Sequence, residues 1–334
     1  MQAADFFLLQ VAKIWHIRMK DADNMRYPRP FHPFLIDKTP EVFIIFSFKK
    51  ATFAQNKNVV PIFKMSPERF FELFLEELKE RPDMHHYYKF LDDPGTLNFR
   101  KNYFLERLRY VAKMVNDPSK AIWDCGCGYG TTCLFLAMNG IPSHGTTLEF
   151  YNEHIDKRYT YWNQFGNSGL FTCSYENLFD QPPADGRYDR IIIQDTLHHL
   201  EPINDALKIF HKSLRDNGRL VIVEENGNNI IQRVKLYKRR GDKRVITIWD
   251  EKLKKEILLG NENIRSLAQW SGLLTGNGFH IPEQSVQYVR YYLPYRYRSG
   301  NPEAILEKEQ RLQQRHSWKR EYLFFGLNFT AEKS

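Results

Sequence analysis

Residues 123–130 read Trp-Asp-Cys-Gly-Cys-Gly-Tyr-Gly, with glycines on alternate positions between two apolar runs. Glycine there lets a backbone turn sharply and approach a ligand, and a helix starting at such a turn offers free N–H groups. Gly126, Gly128 and Gly130, preceded by Asp124, therefore read as a nucleotide-binding turn. Taken by itself the pattern is a weak signal, because tight turns need glycine for steric reasons. Glu149 strengthens it: it lies 19 residues beyond Gly130, at the end of the next expected strand, where a carboxylate can accept both hydroxyls of a ribose. The competing reading of Glu149 is a solvated acid at a helix start. A dinucleotide fingerprint would have its third glycine where this chain has Thr131, which disfavours a nicotinamide cofactor.

In open α/β sheets ligands bind beyond the carboxyl ends of the strands, and two further segments fall there. The first is Gln194-Asp195-Thr196-Leu197-His198-His199-Leu200. Either histidine could take a proton from an acceptor hydroxyl, since imidazole titrates near neutral pH; a histidine opening a helix also serves simply to cap or pack. The second is Glu224-Glu225-Asn226, followed over about residues 227–260 by a basic insertion with Arg233, Lys235, Lys238, Arg239, Arg240, Lys243 and Arg244. Tyr237 and Trp249 are interleaved, and an aromatic-basic run from Tyr288 to Arg298 comes later. These stretches read either as a solvated basic face or as a dock for an anionic acceptor or an acidic carrier protein bearing one. Of Cys125, Cys127, Cys133 and Cys173, the first three crowd one expected turn and helix, whereas a disulfide framework would spread its cysteines across loops, and they match no zinc spacing, so all four read as reduced thiols and no metal is assigned.

On Asp124, Gly126, Gly128, Gly130 and Glu149 the sequence resembles the class I S-adenosylmethionine (SAM)-dependent methyltransferases, and more narrowly their small-molecule branch typified by ubiquinone and menaquinone biosynthesis. The resemblance spans about residues 98–330, although its specific part is the glycine turn and Glu149. It implies SAM as cofactor, with Gly126 and Gly128 against the methionine part and Glu149 on the ribose. It also implies that Gln194, Asp195 and Leu197 line the methyl-transfer site. Where the family often has an adenine-binding Asp after the third strand, this chain has Ser174, which can still accept a hydrogen bond while Tyr175 packs on the adenine. The implied reaction is methyl transfer to O, N or C of a small-molecule acceptor, anionic, aromatic or lipid-like. Transfer from a sulfonium needs mainly alignment and desolvation, so a general base is not obligatory. RNA methylation through the basic insertion and a non-catalytic SAM-binding partner subunit are the competing readings. Against RNA, the chain has no recognisable RNA-binding module, and Gln194 to Leu197 stand where an Asn-Pro-Pro-Tyr-like motif would be.

Positioning these residues requires an α/β domain: a Rossmann-like seven-stranded sheet, mostly parallel with an antiparallel C-terminal strand, and helices on both faces. Strands are expected at 121–124, 143–148, 170–173, 188–194 and 219–224, with helices at 131–139, 151–165 and about 203–214 between them. Later come a helix at 264–276, a strand at 285–292, a polar helix at about 302–317 and a strand at 322–329. Ahead of the sheet, Ser66-Pro67-Glu68 reads as an N-cap, first-turn proline and first-turn acid, and a second helix is expected from about 98 to before Asp117-Pro118. The expected divisions are an irregular extension over 1–64, a helical cap over 65–118 and the SAM domain over 119–334. Met65 is a candidate natural start, the alternative being a genuine irregular extension.

The composition fits a soluble globular chain: 334 residues, 42% hydrophobic and 26% charged. No apolar run approaches the length of a membrane helix and no secretory signal opens the chain, so a cytoplasmic protein is expected. A net charge of +8 points to an acidic partner of some kind.

Overall fold

Ser66 accepts a hydrogen bond from the Arg69 N–H at 3.1 Å and so opens helix α1 (Pro67–Glu80), which buries Phe70, Phe71, Phe74 and Leu78 along one face. The structure is a computed structural model describing residues 64–298, 300–315 and 317–334. All but the last residue of the expected 1–64 extension, and with it the reading of Met65 as a start, lies outside the described residues. Helix α2 (Pro82–Tyr88) follows and stops at Lys89, whose φ of 51° is left-handed. Helix α3 (Pro94–Met114) is capped by Asp93 and starts a turn earlier than its apolar spacing suggests, because Pro94 fits the first turn.

The sheet strands are β1 (Ile122–Cys125), β2 (Ser143–Thr147), β3 (Phe171–Tyr175), β4 (Tyr188–Gln194) and β5 (Leu214–Glu225), all parallel in the order β3-β2-β1-β4-β5. Between them run α4 (Thr131–Met138), α5 (Ile155–Trp162) and α6 (Ile203–Ser213). The helix expected over 151–165 is shorter, since Phe150–His154 forms a 3₁₀ turn first. After β5 the basic insertion is ordered: helix α7 (Ile230–Arg240), then an antiparallel hairpin of β6 (Val245–Asp250) and β7 (Lys255–Gly260) that stays off the main sheet.

Helix α8 (Leu267–Thr275), strands β8 (Phe279–His280) and β9 (Gln287–Val289), helices α9 (Pro302–Gln313) and α10 (Trp318–Leu323) and strand β10 (Gly326–Lys333) complete the chain. Strand β10 runs antiparallel to β5, and β8 and β9 both pair antiparallel with β10. The seven expected sheet positions are thus filled, the outermost by two short strands. The strand expected over 285–292 is cut short by Arg290, whose φ of 65° leaves the extended region and whose N–H donates to Glu309 instead of to a ladder partner. The last strand begins four residues later than expected, since Tyr322 and Leu323 end α10; short aromatic runs do not separate the two periods.

Neighbouring isoleucines of β4 point to opposite faces, as pleating requires. Ile192 joins Ile122, Val221, α4 and the aromatic residues of α1 in one core; Ile191 and Ile193 join Trp123, Phe210 of α6 and Trp270 of α8 in the other. A fully buried ion pair ties α1 to α5: the Arg158 guanidinium donates to Glu77 Oε1 and Oε2 at 2.8 and 2.6 Å, to the Tyr129 carbonyl at 2.7 Å and to Thr131 Oγ1 at 2.7 Å. Trp162 Nε1 also donates to Glu77, at 2.9 Å.

Candidate active site

The glycine turn leaves β1 with φ values of 82°, 54° and 70° at Gly126, Gly128 and Gly130, a left-handed region costly for any side chain. The three differ in what surrounds them. A Cβ on Gly126 would lie 2.3 Å from Thr196 Oγ1, and one on Gly130 2.3 Å from the Phe171 ring. On Gly128 the nearest atoms would be the Tyr87 hydroxyl at 3.4 Å and the Tyr151 ring at 3.9 Å. A side chain at Gly126 or Gly130 would therefore overlap its neighbours, whereas one at Gly128, though buried, would meet Tyr87 and Tyr151 only at ordinary contact distance.

Beneath the turn, Asp124 is buried and its Oδ2 accepts from Cys133 Sγ at 3.4 Å. Gln194, at the end of β4, donates through Nε2 to Thr132 Oγ1 at 2.9 Å. Asp124 Oδ1 and Gln194 Oε1 are buried acceptors with no hydrogen-bond partner among the described residues. Burial lifts the Asp124 carboxyl to a pKa of about 7.

Glu149 follows β2, its N–H donating to Thr147 Oγ1 at 3.1 Å. Helix α2 brings the Tyr87 ring against Tyr129 of the turn and Tyr151 just after Glu149, with ring centres 5.1 and 4.8 Å apart, and burial, then Tyr88 and Tyr151, pushes its hydroxyl well above the usual range. At the end of β3 the expected pair separates. Ser174 contacts His144 Nε2 at 3.3 Å, and pleating turns it to the face opposite Cys173, whose Sγ lies 3.6 Å from Cys127 in the turn. The Tyr175 hydroxyl lies 3.1 Å from the Leu148 carbonyl and 2.8 Å from Asp250 Oδ2 at the tip of the hairpin, with the Lys252 ammonium 4.2 Å from its ring centre.

After β4, Asp195 has a φ of 48° and its carboxylate accepts from Arg107 of α3. Burial would raise its pKa, but Arg107 and Arg290 outweigh burial and hold it below the usual range. Leu197 is wholly buried in the core with Trp123 and Ile193, and its N–H donates to Glu224 Oε1 at 2.7 Å. His198 is buried, with Nδ1 against Glu224 Oε2 at 2.5 Å and Nε2 at 3.9 Å from Glu262 Oε2. Burial opposes its charge, yet the Glu224 carboxylate prevails and raises the pKa to about 9. His199 goes the other way: burial and then the charge on His198 drive it well below 6.5. Its Nδ1 lies 2.8 Å from the Gly260 carbonyl, which can only accept, so the proton sits on Nδ1 and Nε2 is the basic nitrogen.

The hairpin thus runs along the strand ends from His199, beside its last residue, to Tyr175, beside its tip. A Cβ on Gly260 would lie 2.1 Å from the His198 carbonyl, so this approach requires glycine. Within the insertion, Arg239 pairs with Glu262 at 3.5 Å and Arg240 donates to the carbonyls of Gly241 and Glu262, so these two cations serve the fold. Tyr87, Arg107, Asp250 and Glu262 are the site neighbours that sequence reasoning did not find. Arg81-Pro82-Asp83 could have signalled helix α2, but nothing local marks the pairing of Arg107 with a residue 88 positions away.

The sequence profile of a family described as a methyltransferase domain matches residues 98–284. The O-methyltransferase ResE of Aspergillus sclerotiorum is 25% identical over 114 residues, covering 34% of this chain and 42% of that protein, so the match spans less than half of the curated relative. Among solved structures, a geranyl diphosphate methyltransferase in complex with geranyl diphosphate and sinefungin aligns at a TM-score of 0.49 and 16% identity over 72% of this chain and 85% of that one. The 1,6-didemethyltoxoflavin-N1-methyltransferase of Burkholderia thailandensis aligns at 0.43 and 14% identity over 80% and 91%.

Proposed function

Because the chain belongs to the methyltransferase-domain family of class I SAM-dependent enzymes, we propose that it transfers a methyl group to an O, N or C nucleophile of a small-molecule acceptor. SAM, when bound, supplies a methyl group made electrophilic by its sulfonium. The observation that carries the reading is the pair of buried acceptors, Asp124 Oδ1 and Gln194 Oε1, that no described residue satisfies, near the carboxyl ends of the paired strands β1 and β4 where the glycine turn begins. Buried acceptors without donors are costly, and the α-ammonium of a methionine moiety is a donor of the right charge for both. Glu149 accepts the ribose hydroxyls, with Tyr87 closing over the turn and Tyr175 against the adenine. Ser174 faces away and takes no part.

His198 is a positioning residue: held as an imidazolium between Glu224 and Glu262, it has no lone pair to offer. His199 is neutral and is the base where the acceptor has a proton to lose. Leu197 supports the site from the core, while Asp195, fixed by Arg107, borders the reacting end. The acceptor is anionic, aromatic or lipid-like, free or carried by an acidic protein, and meets the exposed cations of the insertion. Transfer of labelled methyl from SAM into a cell extract, fractionated into metabolites, protein and RNA, tests this. Label in the metabolite or carrier fraction is expected; label confined to RNA, or none anywhere, would overturn the proposal in favour of RNA methylation or a non-catalytic SAM-binding subunit.

A further inference from the structure

Helix α7 has eleven residues, among them Arg233, Lys235, Lys238, Arg239 and Arg240, and no carboxylate. Surface helices bury their apolar face. Here Gln232 and Leu236 are the buried residues, Gln232 donating to Glu225. Ile230, Ile231, Val234 and Tyr237 are instead 48%, 52%, 51% and 64% exposed. They form a two-turn apolar ridge, with Arg233 exposed on one flank and Lys238 exposed at its C-terminal end. Helix α10 packs against α7 and leaves Trp318 60% exposed beside an exposed Lys319. Asp242, two residues past α7, and Glu321 of α10 are exposed carboxylates on the adjoining segments.

We propose that α7 and Trp318 form a surface that lies on an anionic lipid bilayer, with the ridge at the headgroup–acyl boundary and the cations on the headgroups. An amphipathic helix with aliphatic side chains on one side, cations around them and a tryptophan at the edge is the composition such an interface selects. Nucleic acid would use the cations but has no use for exposed isoleucine and valine. A second copy of this chain would bring the exposed Arg233 and Lys238 against their own counterparts across a two-fold axis. The ridge, Ile230 to Tyr237, is also about 12 Å long at 1.5 Å per residue, short for a standard protein interface.

This inference stands apart from the proposed reaction, since it is read without SAM or acceptor. Flotation of the full chain with vesicles of phosphatidylcholine alone, and of phosphatidylcholine with phosphatidylserine, tests it. We expect the protein to float with the phosphatidylserine vesicles, less at high salt but still measurably. Ile231→Asn with Val234→Asn, which keeps every charge, should reduce the bound fraction roughly tenfold or more while leaving the melting temperature unchanged. Arg233→Gln with Lys238→Gln should reduce binding mainly at low salt. The proposal is overturned if the wild type stays with the soluble fraction, if it shifts RNA but not vesicles, or if the asparagine variant floats as well as the wild type. Methyl transfer without flotation would sink the membrane surface alone; flotation without methyl transfer would sink the reaction alone.

Discussion

The three glycines of the turn should fail in two different ways when each is changed to alanine. Every one carries a positive φ, which costs an L-residue about 1–2 kcal/mol. For Gly128→Ala that is the whole structural cost, because the new methyl meets nothing nearer than the Tyr87 hydroxyl at 3.4 Å. For Gly126→Ala the methyl would overlap Thr196 at 2.3 Å, and Thr196 is held by its hydroxyl on the Gln194 carbonyl at 2.9 Å. Overpacking of that kind adds about 1–3 kcal/mol, and Gly130→Ala meets the Phe171 ring equally closely. At roughly 2–4 °C per kcal/mol for a domain of this size, Gly128→Ala should melt about 2–8 °C low and the other two about 4–20 °C low. The order reverses for ligand: the Gly128 methyl would enter the cofactor's space, so S-adenosylhomocysteine should bind roughly 5- to 150-fold more weakly, the equivalent of about 1–3 kcal/mol. Thermal denaturation without ligand and titration calorimetry with it, on the same preparations, give both numbers. If Gly128→Ala melts as low as Gly126→Ala, or binds S-adenosylhomocysteine like the wild type, the assignment of Gly128 to the cofactor is wrong.

Other outcomes follow from the same geometry. Glu149→Ala should weaken SAM and S-adenosylhomocysteine alike by about 1–3 kcal/mol in calorimetry, and unchanged affinity would remove Glu149 from the ribose. With a folded pKa of about 9 against an ordinary 6.5, His198 contributes stability that is fully present below pH 6.5 and lost as pH rises toward 9; denaturant midpoints at pH 6 and 9 should draw together in His198→Gln. His199, driven well below 6.5, is already neutral at physiological pH, so with an acceptor in hand the acid limb of kcat/KM should lie below pH 6.5, and a limb near 7 would point to another base. Arg239→Glu would set a carboxylate beside buried Glu262 and should cost roughly 3 kcal/mol of stability or more, seen as a lowered melting temperature before any effect on acceptor kinetics; a wild-type melt would restore Arg239 to the pool of surface cations.

What could be read from the chain before its structure is what short-range chemistry decides. Ser66-Pro67-Glu68 opens α1 because a cap, a first-turn proline and an acid act within one turn. The alternation of Tyr188 to Gln194 and the glycine turn are equally local, and the parallel direction of the first five strands follows from strand–helix alternation. The missing parts depend on distance in sequence. The roles of His198 and His199 diverge through Glu224, Glu262 and Gly260, which lie 26 to 64 positions away. The basic insertion reads as one cationic stretch, yet folding divides it: Arg239 and Arg240 turn inward to Glu262, while Ile230, Ile231, Val234 and Tyr237 turn outward. Composition cannot foresee that inversion, since the buried positions of α7 are chosen by Glu225 and the end of the sheet.

The Arg158–Glu77 pair has a consequence for how the domain opens. Glu77 belongs to a helix that precedes the region matched by the family profile, while Arg158 lies deep within it. A fragment beginning at residue 98 would keep the guanidinium and lose its counter-charge, leaving an uncompensated cation in a fully buried position. Helix α1 cannot fray away from α5 as an independent unit without the same penalty. Its amides should therefore exchange with deuterium at the pace of global unfolding, in step with those of β1 and β4, and the segment that a profile treats as a preface shares a single cooperative transition with the sheet.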